Sequence, residues 1–221
     1  QKETKKNAHL YYQVNRDIAI LVAEKAKADG VGQFIFLSSM SVYGMDTGVI
    51  TPKTKPNPKS HYGKSKWQAE QELDKFSDDN FKVCVLRPPM VYGNGCKGNF
   101  QTVVKIVKKT PIFPNVKNER SMIYIDNLSS FIKWCIDCNA TGIYFPQNKE
   151  YMSTKNMAFW ISEALQKKIY FEYITGIVVR ILRHIYPTAK KAFGTLIYDT
   201  EDKREYCIVS EADSVKESVN L

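Results

Sequence analysis

Gln33–Ser38 reads QFIFLS, a continuous apolar run that leads straight into the hydroxyl-rich segment Ser38-Ser39-Met40-Ser41. An unbroken apolar run of this length is the pattern of a strand buried on both faces of a parallel sheet. Ligands of open α/β sheets bind at the carboxyl ends of such strands. Upstream, Asn15–Ala28 (NRDIAILVAEKAKA) has helical spacing and ends near Gly30. Downstream, Thr51–Ser60 (TPKTKPNPKS) holds three prolines and is a loop. His61–Phe76 is predicted as a helix, and Phe81–Leu86 (FKVCVL) as a second buried strand stopped by Arg87-Pro88-Pro89. Farther along, helices are expected over Phe100–Lys109, Leu128–Cys138 and from a Ser153 or Thr154 cap to near Lys167. Short strands are expected at Met122–Ile125, Gly142–Phe145 and Ile169–Tyr173. Strands alternating with helices, without hairpin signals, predict a parallel α/β sheet.

The chain has 221 residues, 43% hydrophobic and 25% charged, ordinary for a globular protein. Its net charge of +9 comes from scattered lysines. Without a basic stripe interleaved with aromatics, no nucleic-acid partner is expected, and a solvated lysine-rich surface accounts for most of the charge. Five cysteines, an odd count, argue against a disulfide framework and for a reducing, cytoplasmic compartment. Cys135 and Cys138 form a CxxC inside an amphipathic run with no second ligand pair, so helical packing is expected there and no metal site. Tyr173–Tyr186 (YITGIVVRILRHIY) is expected to be a core-facing helix rather than a membrane contact.

Gly93-Asn94-Gly95-Cys96-Lys97-Gly98 spells GxGxxG, with Glu119 about twenty residues on. A dinucleotide fingerprint works when its first glycine turns directly off a strand and aims the next helix at a pyrophosphate. Here Arg87–Tyr92, with two prolines, separates the strand from the turn, and Val116–Arg120 (VKNER) has loop character. The expectation is a substrate-facing loop.

Tyr62 and Lys66 form Tyr-x-x-x-Lys, which among thirteen tyrosines arises by chance about once. Context makes it specific: the two lie one helical turn apart, and Ser39 follows a buried strand. A tyrosine base must give up a proton with a reference pKa of about 10. A nearby ammonium lowers that value, and a serine hydroxyl can hold both phenolate and substrate alcohol. Such a set suits hydride transfer between an alcohol carbon and a nicotinamide.

Four stretches, Phe34–Gly44 (FIFLSSMSVYG), His61–Glu70 (HYGKSKWQAE), Val83–Gly95 (VCVLRPPMVYGNG) and Arg120–Ile132 (RSMIYIDNLSSFI), resemble in order and spacing the extended short-chain dehydrogenase/reductases. More narrowly, they resemble the NAD-dependent epimerase/dehydratase group. The resemblance implies an α/β, Rossmann-like parallel sheet with a small C-terminal substrate-binding α/β domain. Residues 1–95, with 120–147 returning, would belong to the NAD-binding domain, and 96–119 with 148–221 to the substrate domain. It implies Ser39, Tyr62 and Lys66 as the catalytic triad, and Asn15, Ser38, Tyr62, Lys66 and Pro88 as cofactor-binding residues. Ser39, Ser41, Met90, Asn99 and Arg120 would bind the substrate, with Asn99 and Arg120 on the diphosphate of a nucleotide sugar. A helix cap (Asn99) and a surface charge (Arg120) are the plainer roles for these two. A homodimer would use Asn15–Ala28 and Tyr62–Phe76.

Family members begin with a strand, a glycine-rich phosphate turn and further strands ahead of the helix that starts near Asn15. The first βαβ units are therefore expected to be missing, and the chain alone to bind NAD weakly or not at all; NADP stays open because the discriminating acid lies in those units. Dehydratases of the group carry Asp-Glu where this chain has Met40-Ser41, which disfavours elimination of water. The expected reaction is 4-epimerisation of a UDP-hexose or UDP-N-acetylhexosamine through a 4-keto intermediate. A 4-ketoreductase using the same residues and a non-catalytic regulatory relative are the alternatives. Some 4-epimerases have asparagine at the Met90 position, which leaves the sugar open.

Overall fold

The computed structural model describes residues 7–96, 99–200 and 206–219. Its elements begin with α1 (Ala8–Tyr12), a π-helical turn (Gln13–Asp17), α2 (Ile18–Ala28), β1 (Gln33–Leu37), a 3₁₀ turn (Met40–Tyr43), β2 (Gly48–Ile50), α3 (His61–Asp74) and β3 (Lys82–Leu86). Next come β4 (Met90–Tyr92), α4 (Asn99–Lys109), β5 (Ile112–Pro114), β6 (Met122–Tyr124), α5 (Ile125–Asp137) and β7 (Gly142–Tyr144). The chain closes with α6 (Thr154–Ala164), β8 (Tyr170–Glu172), α7 (Tyr173–Ile185), α8 (Pro187–Phe193), β9 (Leu196–Tyr198) and α9 (Glu211–Glu217). Two compact units emerge: Gln1–Met45 with Lys53–Pro89 and Phe131–Pro146, and Asp46–Pro52 with Met90–Ser130 and Gln147–Leu221.

In the first unit the apolar runs form a parallel sheet in the order β1-β3-β7. β3 is buried from Val83 to Leu86, whereas β1, expected to be buried on both faces, buries Phe36 and leaves Leu37 43% exposed. β1 and β3 stay in register from Gln33↔Lys82 to Leu37↔Leu86, and β3 pairs with β7 from Cys84↔Gly142 to Leu86↔Tyr144. Phe36, Val83 and Val85 pack with Ala23 of α2, Ala69 and Leu73 of α3, and Phe81. Small residues at Ala19, Ala23 and Ala26 recur at helical spacing and let α2 lie close to this core. The helix containing Asn15 begins at Ala8, not near Asn15, and a π turn interrupts its α-helical period. A scan for period 3.6 passes over such a one-residue insertion.

The interior of this unit holds a charge pair. Arg87, at the end of β3, donates from Nη2 to Glu70 Oε2 of α3 at 2.5 Å, and from Nε to both carboxylate oxygens at 3.1 Å. Both side chains are about 95% buried. Arg87 Nη1 also donates to Tyr43 Oη at 2.7 Å, the guanidinium lies 5.5 Å from the Trp67 ring, and Ser38 Oγ donates to Glu70. One ion pair thus joins the ends of β1 and β3, the 3₁₀ turn and α3. Burial alone would disfavour the cation, yet the bonds and charge of Glu70 hold the Arg87 pKa above its ordinary value.

The second unit contains three two-stranded parallel pairings, β2 with β9, β4 with β6 and β5 with β8. Tyr92, Phe100, Val103, Val107, Phe113 and Met122 belong to its core. β2 and β4 explain why this division departs from the sequence-based boundaries. Residues 46–52 join the second unit through β9, and β4 joins through β6. A three-residue strand carries too little pattern to announce a partner so distant in the chain. The glycine turn needs a correction too: β4 runs directly into Gly93, so a strand does feed it, although among the described residues that strand pairs with β6 and not with the β1-β3-β7 sheet. Gly93 has φ 150°, and a Cβ there would stand 2.4 Å from Ile125 Cγ2. The second half of the turn, Lys97 and Gly98, lies outside the described residues.

Glu70→Ala strands a buried guanidinium and is expected to cost about 3–5 kcal/mol of stability, read from urea denaturation. Glu70→Met combined with Arg87→Met should recover most of that loss, since neither charge then remains to be solvated.

Candidate active site

The sequence forms the site around the carboxyl end of β1. Ser38 N donates to Leu86 O at 2.7 Å, extending the strand pairing, and Met40 N donates to Pro88 O at 2.9 Å. Between them Ser39 is extended (φ −166°, ψ 151°) and caps the 3₁₀ turn, its Oγ accepting from Ser41 N at 3.1 Å. Helix α3 is started by Ser60, whose Oγ accepts from Gly63 N at 3.0 Å. Gly63 is required by contact: a Cβ there would sit 2.5 Å from the Ser41 carbonyl oxygen. The helix carrying Tyr62 can therefore press directly against the segment carrying Ser39.

Lys66 follows Tyr62 by one turn and donates from Nζ to Leu37 O at 2.8 Å, with Nζ 4.6 Å from the Phe36 ring centroid. Burial lowers the pKa of Lys66, and the charge of Glu70, four residues on, opposes that fall. Burial raises the pKa of Tyr62, a hydrogen bond with Ser39 lowers it, and the neighbouring Tyr11 phenol raises it again. The net position is above the ordinary value, so Tyr62 rests as a neutral phenol. Tyr11 meets the Tyr62 ring edge-on, with centroids 6.2 Å apart.

A cavity of about 460 Å³ opens beside Tyr62, lined by Asn7, Leu10, Tyr11, Val14 and Asn15. Asn15 sits in the π turn and donates from Nδ2 to Ser65 Oγ at 3.1 Å, which fixes it against α3. A π turn at a ligand cavity is a recurrent placement. Ser38, expected to face a cofactor, is buried and gives its hydroxyl to Glu70. Pro88 is buried, with its carbonyl engaged by Met40. Ser41 is within hydrogen-bond reach of Ser39, Oγ to Oγ 3.2 Å.

The remaining expected residues belong to the second unit. Met90 and Arg120 line a cavity of about 290 Å³. Arg120 is held by reciprocal backbone bonds with Met152 and by Nη1 donating to Gly194 O at 2.9 Å. Its pKa is lowered by burial, against the pull of Asp46. Sequence reading missed Thr102, Phe113 and Lys191, which share this cavity. Phe113 sits in the proline-flanked PIFP (111–114), and Lys191 follows Lys190 just before Phe193-Gly194. An apolar, aromatic wall carrying two cations suits a planar base bearing phosphates. Asn99 opens α4, and its side chain lies outside the described residues.

Residues 1–144 match the model of the NAD dependent epimerase/dehydratase family. The chain belongs to that family. It is 36% identical over 167 residues to a UDP-glucose 4-epimerase of Vibrio cholerae, a match covering 72% of this chain and 51% of that protein. It is 30% identical over 167 residues to N-acetyl-alpha-D-glucosaminyl-diphospho-ditrans,octacis-undecaprenol 4-epimerase of Escherichia coli O157:H7, covering 72% and 50%. The chain thus spans about half the length of these relatives. The crystal structure of UDP-glucuronic acid 4-epimerase from Bacillus cereus in complex with NAD superposes with a TM-score of 0.75 at 20% identity, covering 99% of this chain and 68% of that one. The last likeness establishes the shared fold.

The Tyr62 pKa can be checked by ultraviolet titration, taking the difference between the wild type and Tyr62→Phe. The Tyr62 contribution should titrate above 10.0, the ordinary tyrosine value. Because Ser39 favours the phenolate, Ser39→Ala should move that step to still higher pH.

Proposed function

We propose that this chain carries the catalytic base and the nucleotide pocket of an NAD-dependent nucleotide-sugar 4-epimerase, acting on a UDP-hexose or UDP-N-acetylhexosamine. The observation that supports this most is the Ser39–Tyr62 hydrogen bond at the end of β1, with Lys66 tethered to the same strand end. Ligand binding lets Tyr62 give its own proton to solvent, the Lys66 ammonium favouring the phenolate. Ser39 then holds the C4 hydroxyl oxygen while the Tyr62 phenolate takes its proton and later returns it to the same oxygen. Bound NAD supplies the hydride acceptor and donor at C4. Its nicotinamide ribose fits the hydroxyl and ammonium donors of Tyr62 and Lys66, and the cavity bordered by Asn15 offers room beside them. Met40 and Ser41 provide no carboxyl group to remove water, which favours redox at one carbon over dehydration. In the second unit Arg120 and Lys191 are assigned to the diphosphate, and Phe113 with Met90 to the apolar wall of the pocket.

The whole protein, given NAD and UDP-glucose or UDP-N-acetylglucosamine, is expected to form the 4-epimer with no net accumulation of NADH. Stoichiometric consumption of NADH or NADPH with a 4-keto sugar would instead identify a ketoreductase. Tyr62→Phe should lower kcat by about 10²–10⁴ while UDP affinity stays within about twofold; unchanged turnover would overturn the assignment. Arg120→Ala is expected to weaken UDP binding to the chain by about tenfold or more in calorimetry, since it removes a charge-assisted donor.

A further inference from the structure

Helix α7 was expected to turn its apolar face to a core, and the structure reverses this. Ile174, Ile177, Val178, Ile181 and Ile185 recur at helical spacing and share one face. All five are exposed, from 47% at Val178 to 71% at Ile174. The helix packs inward on its other side: Gly176 is buried, and a Cβ there would stand 2.6 Å from the Asn115 carbonyl oxygen. Thr175, Val179 and Leu182 are half-buried. Scattered exposed apolar residues are normal, whereas a continuous stripe marks an interaction surface.

The surroundings of the stripe indicate its chemistry. A groove of about 500 Å³ along its flank is lined by Lys117, Lys155, Arg180 and Tyr173 among others, and none of the described residues lining it is acidic. The nearest carboxylate in sequence, Glu172, is occupied in capping the helix, accepting from Ile174 N and Thr175 N. Lys190 follows, exposed, in α8. Tyr173 and Tyr186 are exposed at the two ends of the stripe, 75% and 55%. An apolar face, a cationic flank and terminal tyrosines are the parts of a helix lying in the plane of a bilayer interface. Thirteen residues span only about 20 Å, too short to cross. Among the described residues no helix is long and apolar enough to cross a membrane. A second copy fits less well, because a two-fold contact across the stripe would bring the cationic flanks of two chains with net charge +9 together.

We propose that α7 docks the protein on an anionic phospholipid surface, with the Ile174–Ile185 face in the acyl boundary and Lys117, Lys155 and Arg180 on headgroup phosphates. Co-sedimentation of the chain with phosphatidylethanolamine–phosphatidylglycerol vesicles tests this. Binding should be at least about tenfold tighter than to phosphatidylcholine vesicles and should weaken as salt rises. Ile177→Glu with Ile181→Glu should lose about tenfold or more in vesicle affinity, with circular dichroism and thermal midpoint unchanged, while Ile177→Leu keeps it. Absence of binding to anionic vesicles, or equal binding by the double variant, overturns the proposal. So does a wild-type dimer in sedimentation velocity that the double variant turns into monomer, which would assign the face to a second copy.

Discussion

The Glu70–Arg87 pair is the constraint on which the first unit's site rests. A buried ion pair adds little net stability over an apolar substitute, but it tolerates few geometries because every lone pair and N–H must be met. Here the partners come from α3, the ends of β1 and β3, and Tyr43 of the 3₁₀ turn. Those are the segments that carry or border Ser39, Tyr62 and Lys66. Moving any one of them would leave a charge or a hydroxyl without its partner in the interior. The pair therefore specifies position more than it adds stability, and Gly63 lets the specified position be a close one. Lys66 is joined to the same arrangement through the Coulomb influence of Glu70, one turn farther along α3.

What could be read from the sequence followed from residues whose local pattern already contains their structural reason. QFIFL and KVCVL pair as parallel strands as their apolar runs indicate, although KVCVL is buried from Val83 onward while QFIFL buries Phe36 and leaves Leu37 43% exposed. Ser60 and Ser153 start helices because their hydroxyls meet backbone amides three residues on. That Tyr62, Lys66 and Ser39 lie near one another was legible because one helix turn and one strand end are local geometries. What was hidden depends on distant partners. Glu70 is one acid of a polar helix in sequence, and its enclosure depends on Arg87, seventeen positions away. Likewise β2, β4, β5 and β9 are three residues each and exist through pairing alone. Lys191 is an ordinary surface lysine in sequence and becomes a pocket residue only once α8 is folded. The amphipathicity of Tyr173–Tyr186 was visible, but which face turns inward depended on Gly176 meeting Asn115.

Family membership and the local chemistry narrow the reaction from different directions. On the proposed reading Tyr62 is the base, and a base alone cannot choose between elimination, reduction and epimerisation. On that reading the residues beside Ser39 bear on the choice, and Met40 with Ser41 brings no acid–base pair there. Tyr62, resting as a neutral phenol, means that proton removal awaits a change in its surroundings such as ligand binding brings. A tyrosine that stays neutral until its ligands arrive avoids holding a phenolate in a half-buried place.

The π turn at Gln13–Asp17 has a consequence for how this helix can vary. Because the turn holds one residue more than an α-helical turn, the stretches before and after it are indexed separately. Upstream, Leu10 and Tyr11 line the cavity beside Tyr62; downstream, Ala19, Ala23 and Ala26 follow the sheet core. The insertion acts like a splice between two rulers, so the cavity wall can drift in sequence without disturbing the alanine spacing below it. Deleting a single residue there would bring both faces onto one period and swing one of them about 100° away from what it covers.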